Sequence, residues 1–403
     1  NYDFSIGKHD ISIMGGYNQE ESHKESQWSQ RTDVLLENLP SLSGSTGTAS
    51  VTDSFDEYAI RGLFYRVNYT YDGKYMFEAN GRYDGTSRFP KDSRFGFFPS
   101  FSAGWRISEE AFMKNTKSFL SNLKLRASWG SIGNQIILKP DNTPENYPYI
   151  PSMSPYLTGW LVDGQKTTTL NAPAMVSSSF SWEKVYTLDF GVDFGFFDNR
   201  FNGTFDWYRR DTKGMLAPGM DLPWVVGATA AKQNAADLKT YGWELELNWR
   251  DRINKDWSYR IGFNLYDSQS EITKYNNETN LLGDKIYRKG MKMGEIWGYV
   301  TDRFYTEDDF NADGTLKPGI PIPKGAGKVF PGDVLYKNFD DDTETIWSGE
   351  GTADNPGDQR IIGNSTPRFH YGITAGISWK GLDLSIFLSL IHISEPTRHA
   401  QIS

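Results

Sequence analysis

Leu63-Phe64-Tyr65-Arg66-Val67-Asn68-Tyr69-Thr70-Tyr71 leads into the turn Asp72-Gly73-Lys74, and Tyr75-Met76-Phe77-Glu78-Ala79-Asn80-Gly81-Arg82-Tyr83-Asp84 follows it. A third run enters through Phe95-Gly96-Phe97-Phe98-Pro99-Ser100 and continues to Ile107. Taken in twos, Leu63, Tyr65, Val67, Tyr69 and Tyr71 share one face, opposite Phe64, Arg66, Asn68 and Thr70. After the turn, Tyr75, Phe77, Ala79, Gly81 and Tyr83 oppose Met76, Glu78, Asn80, Arg82 and Asp84. In the third run Phe101, Ala103, Trp105 and Ile107 oppose Ser100, Ser102, Gly104 and Arg106. Side chains of a strand alternate between its two faces, so this pattern specifies strands held between apolar and wet surroundings. Strands of soluble sheets alternate too, but they usually stop after about 5–6 residues.

The same alternation recurs along the chain. His9 to Gln19 carries Ile11, Ile13, Gly15 and Tyr17 on one face, and Leu123 to Gly130 carries Leu123, Leu125, Ala127 and Trp129. Tyr186 to Phe196, Phe201 to Tyr208, Tyr241 to Arg250, Trp257 to Tyr266, Tyr371 to Trp379 and a strand starting at Leu382 complete about eleven strands, an odd number and so unusual for a closed bacterial barrel. Glu20 to Asp56 reads as a long polar segment with a short helix over Glu25 to Leu36 before a Ser/Gly/Thr-rich loop. A second short helix is expected around Glu109 to Lys114. Gln135 to Ser181 is rich in proline and reads as a connection. Ser268 to Thr366 reads as mostly irregular, with one strand at Ile296 to Tyr305.

Connections alternate between tight and long. Asp72-Gly73-Lys74, Asp198-Asn199-Arg200, Ile253 to Asp256 and Lys380-Gly381 are tight, and almost all others run to tens of residues. Outer-membrane barrels have short periplasmic turns and long extracellular loops in that arrangement. Aromatics also stand at the ends of apolar faces, as Tyr241 and Trp249, Trp257, and Tyr371 and Trp379 do. Headgroup-level girdles place them there.

Composition agrees. Of 403 residues, 15% are aromatic, with 22 Tyr, 25 Phe and 13 Trp, enough to furnish such girdles. Mean hydropathy is −0.57, and no apolar run approaches the ~20 residues of a membrane helix, which excludes a helical membrane protein. A formal charge of −9 argues against a nucleic-acid partner. The absence of cysteine excludes disulfides, thiolate metal sites and a cysteine nucleophile. The expected fold is therefore all-β, a partial antiparallel transmembrane β-barrel. A sheet left open in lipid would expose unpaired backbone at its edges, so the chain is expected to be part of a larger barrel.

Several motifs resemble the barrel of SusC/RagA-type TonB-dependent transporters. They are Leu63-Phe64-Tyr65-Arg66-Val67-Asn68-Tyr69, Gly81-Arg82-Tyr83-Asp84-Gly85-Thr86-Ser87-Arg88-Phe89, and Phe97-Phe98-Pro99-Ser100-Phe101-Ser102-Ala103-Gly104-Trp105-Arg106. Leu123-Lys124-Leu125-Arg126-Ala127-Ser128-Trp129-Gly130, Gly133-Asn134-Gln135 and Gly363-Asn364-Ser365-Thr366-Pro367-Arg368-Phe369 continue the resemblance. It implies a 22-stranded barrel closed by an N-terminal plug. It also implies energy from TonB and a SusD-like surface lipoprotein that hands over a glycan or a peptide, in the outer membrane of a Gram-negative bacterium. Plug, TonB box and first strands are expected to lie outside this chain, with residues 1–387 as barrel. Leu388 to Arg398 reads Leu-Ser-Leu-Ile-His-Ile-Ser-Glu-Pro-Thr-Arg, like a translated sequencing adapter, so residues 388–403 are expected to be a non-native tail. The other reading is a true strand continuing from Phe387.

Candidate site residues lie in the long connections. Tyr156, Trp160, Trp224, Trp297 and Trp347 offer flat rings for sugar faces or peptide side chains. The other reading is packing between loops or against the partner lipoprotein. Asp309-Phe310-Asn311-Ala312-Asp313-Gly314 has the start of a calcium loop, with Asp309, Asn311 and Asp313 as oxygen donors. Its twelfth position is Ile320 rather than Glu, and an acidic surface turn is the alternative. Asp340-Asp341-Asp342 in the same connection reads as a solvated acidic run. Glu244 and Glu246, two apart on a strand's polar face, read as lumen lining rather than glycosidase carboxylates. No catalytic residue and no resident cofactor is expected. The chain reads as part of an importer rather than an enzyme. The alternatives are a structural or adhesive outer-membrane protein and a secreted carbohydrate-binding or hydrolytic β-protein.

Overall fold

The computed structural model describes residues 1–139, 142–173, 175–177, 180–218, 224–226, 231–277, 279–283, 286–339 and 345–390. Its frame is one 12-stranded antiparallel sheet in which each wall strand pairs with the next. The wall strands, numbered here in chain order, begin with β1 (Tyr2–Ile6), β2 (His9–Arg31), β3 (Ala49–Tyr71), β4 (Tyr75–Thr86), β5 (Phe95–Arg106) and β6 (Leu120–Asn134). They continue with β7 (Glu183–Phe196), β8 (Phe201–Pro218), β9 (Lys232–Arg252), β10 (Trp257–Lys274), β11 (His370–Trp379) and β12 (Leu382–Leu390). The first and last wall strands do not pair with each other, so the sheet is open.

Eleven of these strands answer to the alternating stretches; β1 was not anticipated. Residues 388–390 are paired in β12, and residues 391–403 of the expected tail lie outside the described residues.

Register fixes the faces, because directly paired residues of neighbouring strands point to the same side. Tyr69 pairs with Phe77 and Phe77 with Ala103, while Tyr75 pairs with Trp105. Arg66 pairs with Asn80, Asn68 with Glu78, and Glu78 with Ser102 on the opposite face. The aromatic face carries ring contacts between neighbouring strands along the sheet. Tyr75 stacks on Trp105 at 6.4 Å, Phe101 on Trp129 at 6.2 Å, Phe190 on Trp207 at 6.1 Å and Trp257 on Trp379 at 5.4 Å. Tyr65, Phe77, Trp105, Trp129, Phe190 and Trp207 are all exposed in the isolated chain. An apolar band of this extent is unsustainable in water and is what a bilayer covers. Tyr65 lies across Gly81, whose missing side chain makes the room: a Cβ there would sit 2.4 Å from the tyrosine ring.

Two expectations are corrected. Glu20 to Asp56 has no helix at Glu25 to Leu36, and its loop is confined to residues 32–48. Instead β2 and β3, 23 residues each, run on as a paired ribbon from Glu20↔Ile60 to Arg31↔Ala49. Cross-strand hydrogen bonding holds it, and both its faces carry charge, which hides the strand period. Ile296 to Tyr305 is not a single strand. It splits into Glu295–Tyr299, paired with Gln359–Asn364, and Thr301–Phe304, paired with Val334–Tyr336. The helix expected near Glu109 to Lys114 is present as two 3-10 segments, Ile107–Glu109 and Ala111–Thr116.

The connections sort by rim. Lys8, Lys74, Phe119, Arg200 and Asp256 each accept a backbone bond from the neighbouring strand's end or turn, so the tight turns and residues 107–119 lie side by side. The longer connections, 32–48, 135–182 and 275–369, leave from the opposite rim, as does the shorter 87–94. The large buried apolar residues gather mostly in those loops, while the wall strands contribute Phe98, Ala217, Ala236 and Ile272. Phe89, Phe98, Ile137, Phe180 and Trp182 form one cluster, with Phe98 contributed by the polar face of the wall through its pairing with Arg82. Tyr305, Leu335 and Ile346 form a second within residues 275–369.

Candidate functional site

The loop between β10 and β11 folds into a small body on the outer rim. Its closing stretch is Gly363 to Phe369, part of the recognisable sequence. Ser365 N and Oγ both donate to Gly294 O, at 2.7 and 3.2 Å. Asn364 Nδ2 and Thr366 Oγ1 donate to Met293 O at 3.0 and 3.1 Å. Gly294 has φ +83°, a conformation that favours glycine, and a Cβ there would lie 2.4 Å from Thr366 Oγ1. Arg368 then makes a two-point ion pair with Asp267 of β10, next to the Tyr266–His370 pair where β11 begins, fixing the body to the wall.

Within this body lies a cleft of about 820 Å³. Leu282, Ile286, Tyr287, Met291, Met293 and Trp297 give it apolar surface, and Arg288, Glu295, Gln359 and Thr366 polar groups. At its wall the Glu295 carboxylate pairs with Arg288, the two side chains being only 4% and 11% exposed. Glu295 Oε1 also accepts from Trp297 Nε1 at 2.5 Å, and Oε2 from Lys292 N at 3.3 Å. Arg288 lies over the Trp297 ring at 5.5 Å, so the indole is fixed at its face and at its N–H. A mostly apolar concavity with a few oriented polar groups is the usual form of a small-ligand site.

The aromatics expected at the site are dispersed. Trp297 lines the cleft. Trp347 belongs to the same loop body, with Lys324 Nζ 4.7 Å above its ring, and its backbone N–H donates to the fully buried Asp358. Tyr156 and Trp160 stand on a separate hairpin, Pro155–Val162 with Gln165–Leu170, where Trp160 is 82% exposed. Trp224 lies in a 3-10 turn, Trp224–Val226. Among the described residues no ring contact joins Tyr156 or Trp160 to Trp297.

The Asp309 loop uses its oxygens internally. Asp309 caps its own 3-10 turn by accepting from Thr306 N at 2.8 Å and meets Arg303 at 2.5 and 2.7 Å. The Arg303 guanidinium first, and then the Thr306 N–H, hold its carboxyl well below the usual carboxylate range. Asp313 Oδ1 accepts from Thr315 N and Oγ1, and the hydroxyl lowers its pKa. Asn311 Nδ2 donates to Thr315 Oγ1. A cation held by Asp309, Asn311 and Asp313 would have to displace Arg303. Asp340, Asp341 and Asp342 lie outside the described residues.

The polar face of the wall is a second candidate surface. Arg126 Nη2 is 2.9 Å from both Asp193 Oδ1 and Asp206 Oδ1, bridging β6, β7 and β8. Glu244 pairs with Asp206, and Glu246 with Thr204, on this same face. The two glutamates therefore line the lumen side, as their spacing implies. Arg288, Glu295, Tyr287 and the two methionines of the cleft were not anticipated. Nothing in the local spacing of a stretch without period marks them; the neighbouring Trp297 was the one signal.

Known proteins share this architecture. The chain is 28% identical to TonB-dependent receptor P3 of Formosa agariphila over 96% of its own length and 37% of that protein's. It is 30% identical to TonB-dependent receptor SusC of Bacteroides thetaiotaomicron over 83% of its length and 35% of that protein's. The chain thus spans about a third of the length of these relatives. The RagAB peptide transporter superposes with a TM-score of 0.73 at 23% identity, over 96% of this chain and 39% of that one, a likeness of fold. The outer membrane transporter YddB of Escherichia coli gives 0.51 at 8% identity, over 96% of this chain and 40% of that one. Residues 1–379 match the family model described as TonB dependent receptor-like, beta-barrel, and the chain belongs to that family of outer-membrane barrels.

Proposed function

We propose that the chain forms part of the wall and outer mouth of a TonB-energised importer that takes up a glycan or a peptide together with a SusD-like lipoprotein. The observation that carries this reading is the division of the sheet. One face is an aromatic band for lipid, the other a charged wall, and the loops of one rim enclose a cleft fixed around Trp297. The importer has no chemistry to perform. Its loops bind, its wall conducts, and a plug and TonB box elsewhere in the protein would gate. The structural or adhesive alternative requires no cleft with an oriented indole, and the secreted alternative leaves the lipid band without a use.

The cleft suits both ligand classes. A Trp face stacks on a pyranose, while methionines adapt to varied apolar side chains. Uptake by cells carrying or lacking the complete gene, offered labelled oligosaccharides and peptides in parallel, tests the proposal. Loss of uptake of one class, reproduced by deletion of the TonB box, is expected. Undiminished uptake of both classes refutes it.

A further inference from the structure

The connection between β5 and β6, residues 107–119, is the long one at the otherwise tight-turned rim. Where it goes is fixed at both ends. Near its start, Glu110 Oε1 accepts from Tyr75 Oη at 2.5 Å and from Trp105 Nε1 at 3.0 Å. Those are two stacked rings of the lipid-facing band. At its end, Phe119 packs on Phe196 and Phe197, each at 5.1 Å, with Phe197 N donating to Phe119 O at 2.9 Å. Phe196 pairs with Phe201, and Phe201 with Trp249, again on the lipid-facing side. The segment is therefore folded outward against the band rather than into the lumen.

What it then presents is amphipathic. Phe112 is 66% exposed in the 3-10 segment that also carries Lys114, and Phe119 is 56% exposed in the turn that follows, with Lys117. Lys117 pairs with Glu109 at 3.0 Å, and Lys74 stands 3.7 Å from Glu110, while Lys114 has no ion pair among the described residues. Two bare phenylalanines beside a cation, continuous with a lipid-facing girdle, match the chemistry of the headgroup layer. Rings enter the acyl boundary there and ammonium groups meet phosphates.

We propose that Ile107–Phe119 is an interfacial anchor lying in the periplasmic phospholipid leaflet, with Phe112 and Phe119 at the acyl boundary and Lys114 at the phosphates. It rests on the outer-membrane placement of the wall and is independent of what the importer carries. Its role is positional. It sets the depth and tilt of the wall at β5 and β6, where no tight turn marks the rim.

The test uses the full-length protein in nanodiscs of phosphatidylethanolamine and phosphatidylglycerol. Single cysteines replace Phe112, Phe119 or, as a control in a tight turn, Lys255, each labelled with an environment-sensitive fluorophore. Folding is checked by heat-modifiable migration, and the two anchor positions serve as independent variants. The expected result is quenching at 112 and 119 by lipids nitroxide-labelled near the headgroup, several-fold stronger than at 255, with the reverse order for aqueous iodide. Iodide quenching at 112 and 119 equal to that at 255 would overturn the proposal by placing the segment in the periplasm. Shielding from both quenchers would also overturn it, showing that protein covers the segment.

Discussion

Glu295 is the side chain on which the cleft depends, and its replacement gives a quantitative test. In Glu295→Ala the Arg288 guanidinium stays in a site where its side chain is 11% exposed, while the Trp297 and Lys292 N–H groups lose their acceptor. Removing one partner of a buried ion pair costs about 3–5 kcal/mol, because the other charge is left uncompensated. At about 1.4 kcal/mol per factor of ten, even the lower figure raises local opening by about two orders of magnitude. Amide hydrogen exchange on the full-length protein, followed by mass spectrometry, reads this directly. Peptides over 286–299 and 359–364 should lose protection by that factor, while Tyr186 to Phe196 in the wall stays unchanged. Replacing both partners by methionine should recover most of the loss, since an apolar pair of similar volume carries no desolvation penalty. A change below threefold in the loop peptides, or an equal change in the wall, would refute the reasoning.

Other perturbations follow from the same geometry. Trp297→Ala should weaken ligand binding by about 2 kcal/mol, the scale of a hot-spot aromatic, with Trp297→Phe retaining most of the affinity by titration calorimetry. Gly133→Ala should destabilise by about 1–3 kcal/mol through overpacking, read as a lower temperature for loss of heat-modifiable migration. A Cβ there would lie 2.2 Å from the Phe98 ring and 2.7 Å from Trp182, whereas at Gly104 the nearest atom is the end of Lys124 at 3.3 Å, so Gly104→Ala should be tolerated. The Asp309 carboxyl titrates below its unfolded value, so its contribution is complete above about pH 4 and disappears only as pH falls through the depressed folded value. Proteolysis within 300–339 should therefore stay slow at pH 4 in the parent protein, and Asp309→Asn should be cut readily already at pH 7.

The wall was legible because lipid on one side and water on the other impose opposite demands on alternate residues. Leu63 to Tyr83, Phe101 to Arg106 and the strands within Tyr241 to Leu265 follow that alternation closely, with Phe64 an apolar exception on the polar face. The ribbon from Glu20 to Arg31 escaped because it projects beyond the lipid, where neither face need be apolar. Gln19, Glu21, His23 and Glu25 share a face with as much charge as Glu20 and Lys24 opposite. At five residues, β1 is too short for periodicity to register. The cleft was hidden for a different reason. Arg288 meets Glu295 across an irregular turn, and Gly294 meets Ser365 from 71 residues away, and neither kind of contact leaves a period. Trp297 was singled out by residue type alone, and the same criterion chose Trp160, which the structure leaves on an exposed hairpin.

The loop body has a consequence for how the wall is assembled. Pairing Tyr266 with His370 closes a chain loop of about a hundred residues, and closure entropy grows with the logarithm of loop length. Relative to a four-residue turn, that seam is about 3 kcal/mol more expensive to form. The bonds from Ser365 and Asn364 to Gly294 and Met293 hold the two ends of the insert together beside the seam. Most of the insert is thereby removed from the closing loop, and what remains are the short legs on either side. An insertion this long, which by itself would loosen the register between β10 and β11, thus acts as a clasp that selects it.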